Sequence, residues 1–340
     1  MTKQLISGNN FARNSDFVFV EEVNLNEFEK LNKNNIFVIR KDKDYVIYIN
    51  YKMLLNENSL IFCKTDYVDL LFKYLKKIEN LNNLKLITSQ SDKPIDKKLF
   101  LTKPECISIW YATNVKYKND KLISIPLGLA NEFSEKNLNQ SHFQNFCSLK
   151  SEEEKKVAIY ANFNVNTKYF FRKKLLLFIQ DNNLFKISKK SLNLSEYKRY
   201  LENYRFILCP PGNGIDTHRI WEAIYSNSIP IVFKDYYLEY FKYVPVVVID
   251  SIKQLKDFDV NSKPSLFIKD SLFIDWWIDL IKSHAIDSKE QIEIEISVNK
   301  IMLYLNLKSY KAKISKFLKN FKTVFIKFDR KLLNNNNENL

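Results

Sequence analysis

The 340-residue chain is short of glycine, cysteine, histidine and methionine, with four, four, three and three of them. Each shortage removes a class of explanation. Cys63, Cys106, Cys147 and Cys209 are scattered without C-x-x-C spacing, which argues against a disulfide scaffold or a zinc ribbon and fits a reducing cytoplasm. His142, His218 and His284 are too far apart in sequence to suggest a local metal cluster. Asp42 with Asp44 precedes a strand-like run and Asp257 with Asp259 lies among lysines, so both pairs read as turns rather than as metal ligands at a strand's end. Ser-His-Asp catalysis lacks its G-x-S-x-G elbow. The best apolar runs, residues 244–249 and 272–281, are short or broken by Asp275 and Asp279, and residues 1–17 lack a signal-peptide core, so no membrane span is expected.

What the chain does have is a glycine pair in one loop. Gly212 and Gly214, half of its glycine, lie in Arg205-Phe-Ile-Leu-Cys-Pro-Pro-Gly-Asn-Gly-Ile-Asp-Thr-His-Arg-Ile-Trp-Glu-Ala-Ile-Tyr225. Residues 206–209 form a short apolar run, residues 229–233 another, and between them Ile220 with Ile224 and Trp221 with Tyr225 repeat at helical spacing. The pattern predicts a strand, loop, helix, strand unit of parallel α/β type. Its helix should start near Asp216 or Thr217, both good N-caps, turning its free amides and positive dipole end toward the glycine loop, an arrangement suited to phosphate.

His218 and Glu222 form a polar i,i+4 stripe on that helix, with Arg219 beside it. A carboxylate at Glu222 can accept from the vicinal hydroxyls of a ribose, and Arg219 offers a planar fork to phosphate oxygens. The alternative is a surface Arg219–Glu222 pair worth a few tenths of a kcal/mol. The dinucleotide fingerprint would need glycine at Thr217, and the phosphate-loop pattern is absent. A sugar-nucleotide donor site fits better.

The segment from Cys209 to Ile224, followed by Ser228-Ile-Pro-Ile-Val232, resembles the signature of exostosin-like glycosyltransferases and their bacterial and viral relatives. Upstream, Ala158-Ile-Tyr-Ala-Asn162-Phe-Asn with Thr167 and Arg172 resembles the opening of the donor domain in such enzymes. Leu86-Ile-Thr-Ser-Gln-Ser-Asp92, Trp110-Tyr-Ala-Thr-Asn114 and Ile125-Pro-Leu-Gly-Leu-Ala-Asn131 resemble landmarks of their acceptor half. The likeness spans roughly residues 60–250 and is most specific over 205–232. It implies an α/β chain of GT-B type: two facing Rossmann-like domains, catalysis in the cleft without a bound cofactor or metal, and transfer of a sugar with inversion to a glycan hydroxyl in surface polysaccharide or glycoconjugate synthesis. Ser89 stands where the family's pattern often has a histidine, so no role for that histidine carries over.

On this reading the donor is held by Asn162, Arg172, Pro211, Gly212, Asn213, Gly214, Asp216, Thr217, His218, Arg219 and Glu222. Arg172, Arg219 and the loop amides meet the leaving diphosphate. The base is Asp92 or Asp66, either of which could instead cap a turn. Expected domains are residues 1–150 (acceptor side), 151–285 (nucleotide sugar) and 286–340, with a charged bridge at 148–156. Strands are expected at 17–20, 36–39, 45–49, 60–63, 84–87 and 157–161, and helices at 68–81, 194–204 (capped by Ser195) and 272–281.

From Lys308 onward nine Lys or Arg face Asp329 and Glu338, a net +7 that is half of the chain's +14. Ile314, Phe317, Leu318, Phe321, Val324, Phe325, Phe328 and Leu332 fall on one stripe. Such a basic amphipathic helix suits an anionic membrane surface, or else packs on the protein with its lysines solvated. The expected setting is cytoplasmic, peripheral on the inner face of a membrane, with a glycan or lipid-linked glycan as acceptor. Two rivals remain: a nicotinamide-dependent oxidoreductase, which lacks its fingerprint, and a nucleic-acid-binding protein, for which the charge is too concentrated in one tail.

Overall fold

A computed structural model describes residues 3–143, 146, 154–188, 192–283, 285–287 and 290–307. The basic tail from 308, most of the charged bridge, Cys147 and His284 lie outside them. Met1–Ile294 forms one compact unit and Glu295–Leu340 a second.

The first unit contains two five-stranded parallel sheets, consistent with Rossmann-like architecture. The strands in chain order are β1 (Phe17–Phe19), β2 (Glu21–Asn24), β3 (Ile36–Lys41), β4 (Tyr45–Asn50), β5 (Lys52–Asn56), β6 (Leu60–Lys64), β7 (Leu84–Ser89), β8 (Ile107–Ala112), β9 (Leu122–Ser124), β10 (Lys156–Ala161), β11 (Phe185–Ile187), β12 (Tyr204–Cys209), β13 (Ile229–Phe233) and β14 (Val247–Ile249). The helices are α1 (Gly8–Arg13), α2 (Leu25–Glu29), α3 (Val68–Leu75), α4 (Lys97–Phe100), α5 (Tyr169–Ile179), α6 (Leu194–Asn203), α7 (His218–Tyr225) and α8 (Ile274–Lys282).

The first sheet runs β1-β6-β7-β8-β9, and an antiparallel sheet β2-β4-β3 is inserted between its first two strands. The second runs β11-β10-β12-β13-β14. That order reverses direction between β10 and β12, and in doubly wound sheets the crevice outside the carboxyl ends at such a reversal is where ligands bind. β10 ends at Ala161 and β12 at Cys209, so the reversal opens directly onto the glycine loop.

Strand β12 is buried on both faces and shows why the unit folds so. Phe206 and Leu208 pack with Leu175 and Ile179 of α5, whereas Ile207 and Cys209 belong to the core built around α7. Ile220, Trp221, Ile224 and Tyr225 of α7 are all buried, as their spacing predicts. That core also takes in Leu5, Ile6, Ile125 and Leu129 from the first half of the chain. Tyr225 ties the halves together: its hydroxyl accepts from Ile6 N at 3.0 Å and donates to Leu272 O at 2.8 Å.

Two helix boundaries differ from expectation. The predicted 68–81 helix stops at Leu75, where Lys77 N and Ile78 N turn back to Tyr74 O and Leu75 O; further on, the Glu57 carboxylate accepts from the amides of Asn82 and Asn83 just before β7. Helix α6 is capped by Asn193 rather than Ser195, in a reciprocal capping box with Glu196. The Asp42 pair is a turn as read: Asp42 joins β3 to β4, accepting from Lys43 N and pairing with Arg40. Among the described residues no helix is long and apolar enough to cross a membrane.

Candidate functional site

A cleft of about 1160 Å³ is walled by chain segments that follow the strands of both parallel sheets. One wall carries Ser89, Gln90, Ser91 and Asp92 after β7 together with the 127–137 loop; the other carries Asn164, Thr167, Arg172 and the loop and first turns of α7. Glycine marks it. Gly8, Gly212 and Gly214 line the cleft, and the carbonyl of the fourth, Gly128, binds His218 Nδ1 at 2.8 Å. In a chain with four glycines, all four are spent around one cavity.

Two of these positions show how closely the loop is approached. A Cβ on Gly214 would stand 2.4 Å from Asn114 Oδ1, an atom that accepts from Ile215 N and so docks the loop onto the end of β8. A Cβ on Gly212 would come within 3.3 Å of Arg172 Nη2, so its absence lets the guanidinium lie against the loop. Arg172 clamps that loop with two donors, Nε to Pro211 O (2.9 Å) and Nη2 to Pro210 O (3.1 Å), and ties it to the segment after β10 with a third, Nη1 to Asn164 O (2.7 Å).

The electrostatics favour an anion. Burial pulls the Arg172 pKa down to about 10, and the like charge of Arg219 adds to the effect. Among the described residues neither arginine makes an ion pair. Thr217 holds the N-cap position of α7 but makes no side-chain cap; Ile220 N donates to the Thr217 carbonyl at 3.0 Å, and the positive end of this eight-residue helix faces the cleft through His218 and Arg219. Buried polar atoms without partners also gather here: Ser89 Oγ, Thr167 Oγ1, Thr217 Oγ1 and Arg219 Nε all belong to cleft-lining residues. Such atoms are costly unless something polar satisfies them.

Glu222 lies at the inner end and is almost fully buried. Its Oε1 accepts from Leu138 N (3.1 Å) and its Oε2 from the Tyr197 hydroxyl (2.9 Å), which fixes the carboxylate while leaving further lone pairs. No Arg219–Glu222 surface pair forms. His218 donates from Nδ1 to the Gly128 carbonyl at 2.8 Å, because a carbonyl only accepts.

Of the residues expected from sequence, Asp92, Arg172, Gly212, Asn213, Gly214, Asp216, Thr217, His218, Arg219 and Glu222 line this cleft. Four depart from expectation. Asp66 sits in a short turn after β6 and does not line it. Asn162 donates to the Tyr160 hydroxyl (3.1 Å), and its neighbour Asn164 takes the lining position. Pro211 contributes only its carbonyl, to Arg172. Asp216 is no free ligand-binding group: its carboxylate accepts from Leu127 N (2.7 Å), Trp221 Nε1 and the Tyr240 hydroxyl. Two loop amides are also used internally, Gly212 N by Gly214 O and Ile215 N by Asn114.

Sequence reasoning missed Gly8, the 132–137 segment, and a stacked pair, Tyr45 and Phe133, whose ring centroids are 4.9 Å apart in the wall. Gly8 was discoverable by the same scarcity that singled out Gly212. The stack was not, because its members are far apart in sequence. Among the described residues no group of three or more His, Cys, Asp or Glu is arranged to hold a metal ion. The chain's sequence matches no known protein family and no curated protein.

Proposed function

We propose that the chain is a nucleotide-sugar-dependent glycosyltransferase of GT-B type, with the two parallel sheets as facing halves and transfer to a glycan hydroxyl in the cleft between their loops. The observation that carries the reading is the pairing of two guanidiniums with a helix N-terminus that lacks a side-chain cap, at the strand-order reversal. As the donor's glycosidic bond breaks, negative charge develops on the leaving diphosphate. Arg219, the remaining N–H groups of Arg172 and the first turn of α7 meet it there. This is a task that other transferases give to a metal ion.

Glu222, held by Leu138 N and Tyr197, accepts from the ribose hydroxyls. Asp92 stands on the opposite wall, where its Oδ2 accepts from Asn213 Nδ2 at 3.3 Å, and it takes the proton of the acceptor hydroxyl. The Tyr45–Phe133 stack offers a face for the acceptor sugar.

The deciding experiment is a thermal-shift panel of uridine, guanosine, adenosine, cytidine and thymidine nucleotide sugars on the full chain, followed by a turnover assay with any that bind. A ligand that binds only the native state raises Tm. At least one nucleotide sugar is expected to do so. No shift with any of them, alongside turnover of reduced nicotinamide, would replace the transferase with the oxidoreductase.

A further inference from the structure

A second cavity lies away from the cleft, against β8 and β9 on one side and the 236–243 segment and α8 on the other, with a volume of about 480 Å³. That is within the ordinary range for a small-ligand site. Its walls are unusually aromatic: Tyr111, Tyr117, Tyr236, Tyr240, Tyr243 and Trp277 all line it.

Three features narrow what it can hold. First, its charged residues balance, with Lys118 and Lys242 against Asp120 and Glu239, and Lys118 lies 3.8 Å from Glu239. In contrast to the arginine-rich cleft, nothing here recruits a phosphate or another strong anion. Second, Tyr111 is only 3% exposed yet lines the cavity, so its phenol forms part of the wall. An apolar occupant would leave the cavity's polar lining unsatisfied. Third, Tyr236 is 64% exposed and brings an aromatic ring to the cavity, with Lys118 Nζ 4.8 Å from the ring centroid on one face.

We infer that this cavity binds a neutral oligosaccharide. A pyranose ring presents an apolar C–H face that lies on a Tyr or Trp ring, and an edge of hydroxyls that both donate and accept toward Asn119, Asp120, Lys242 and the Tyr111 hydroxyl. The site also has a route to the cleft. The Tyr240 ring forms the inner wall, and its hydroxyl donates to Asp216, which holds Leu127 N at the cleft's edge. Tyr240, a lining residue of this cavity, is thus hydrogen-bonded to Asp216, a lining residue of the cleft. This inference does not depend on the chemistry assigned to the cleft.

The test uses the full chain on an array of neutral oligosaccharides built from glucose, galactose, mannose and N-acetylglucosamine, with titration calorimetry on the strongest binder. Wild type is expected to retain at least one. Tyr111→Phe, which removes only the hydroxyl, should weaken it about threefold to tenfold. Tyr236→Ala, at an exposed position that leaves the fold intact, should weaken it by about fivefold or more. Both variants should keep the wild-type Tm shift with whichever nucleotide binds the cleft, and Glu222→Gln should keep glycan binding. The inference is overturned if no neutral glycan is retained, if both pocket variants bind like wild type, or if only the cleft variant loses binding.

Discussion

Gly214 offers the sharpest test of how the loop is seated. In Gly214→Ala the new methyl group would be placed 2.4 Å from Asn114 Oδ1 and 3.1 Å from the Asp216 carbonyl. The Asn114 side chain is short and pinned, donating to Ser91 O at 3.0 Å and accepting from Ile215 N at 3.2 Å, on a backbone at φ 57°. Relief therefore requires either breaking these bonds or lifting the loop. Overpacking of this kind costs about 1–3 kcal/mol, and one lost hydrogen bond about 0.5–1.5 more. Alanine returns about 0.4–1 kcal/mol by restricting the unfolded chain, since Gly214 does not have a positive φ. The net expectation is a loss of about 0.5–4 kcal/mol, read as a lower urea midpoint at unchanged m-value. The clash then predicts its own rescue. Asn114→Gly keeps the positive φ and deletes the obstructing oxygen, so Gly214→Ala made in that background should be close to neutral, a coupling of the same size as that loss in the double-mutant cycle. An equal cost in both backgrounds would refute the contact as the reason for the glycine.

Glu222→Gln should fold normally, since an amide can serve both Leu138 N and the Tyr197 hydroxyl, yet bind the donor more weakly by about 1.5–3 kcal/mol, measured by calorimetry; unchanged affinity would remove the ribose role. Arg172→Lys loses a three-donor clamp that a single ammonium cannot reproduce, so turnover should fall more than donor affinity, while a chelator leaves wild-type activity intact; activity abolished by chelator and restored by magnesium or manganese would transfer the diphosphate's neutralisation to a metal. Burial raises the Glu21 pKa from its ordinary 4.5 to about 7, against the opposing hydrogen bonds from Asn9 and Tyr48 and the charge of Arg13, with Glu132 adding to the rise. The folded state thus holds this proton more tightly, and stability should fall as pH rises from about 4.5 to 7, by up to about 1.4 kcal/mol per pH unit; Glu21→Gln should flatten that slope in a Tm-against-pH series, and an unaltered slope would discount Glu21 as its source.

The unit from β12 to β13 was legible in the sequence because everything that makes it is local. Two apolar strands flank a helix in which Ile220 with Ile224 and Trp221 with Tyr225 repeat at helical spacing, and scarce glycine flags the loop. The same locality placed Glu222, His218 and Arg219 on the stripe of α7 that faces the cleft, since helical spacing fixes which side chains share a face. What tertiary structure decided is which distant groups those residues meet. Asp216 looks like a helix cap from its neighbours, but it is bound by Leu127, 89 residues away, and by Tyr240, 24 residues away. Asp92 and Asp66 each follow a strand of the first sheet and read alike, yet only the β7 loop reaches the cleft. The chain that leads from α3 into β7 is held at Asn82 and Asn83 by Glu57, 25 and 26 residues earlier in sequence. Periodicity reports which face of an element is buried. It carries no record of which remote donor or acceptor will be brought within 3 Å of a given polar atom, and the burial that forces polar groups to find partners arises only when the sheets and helices close over them.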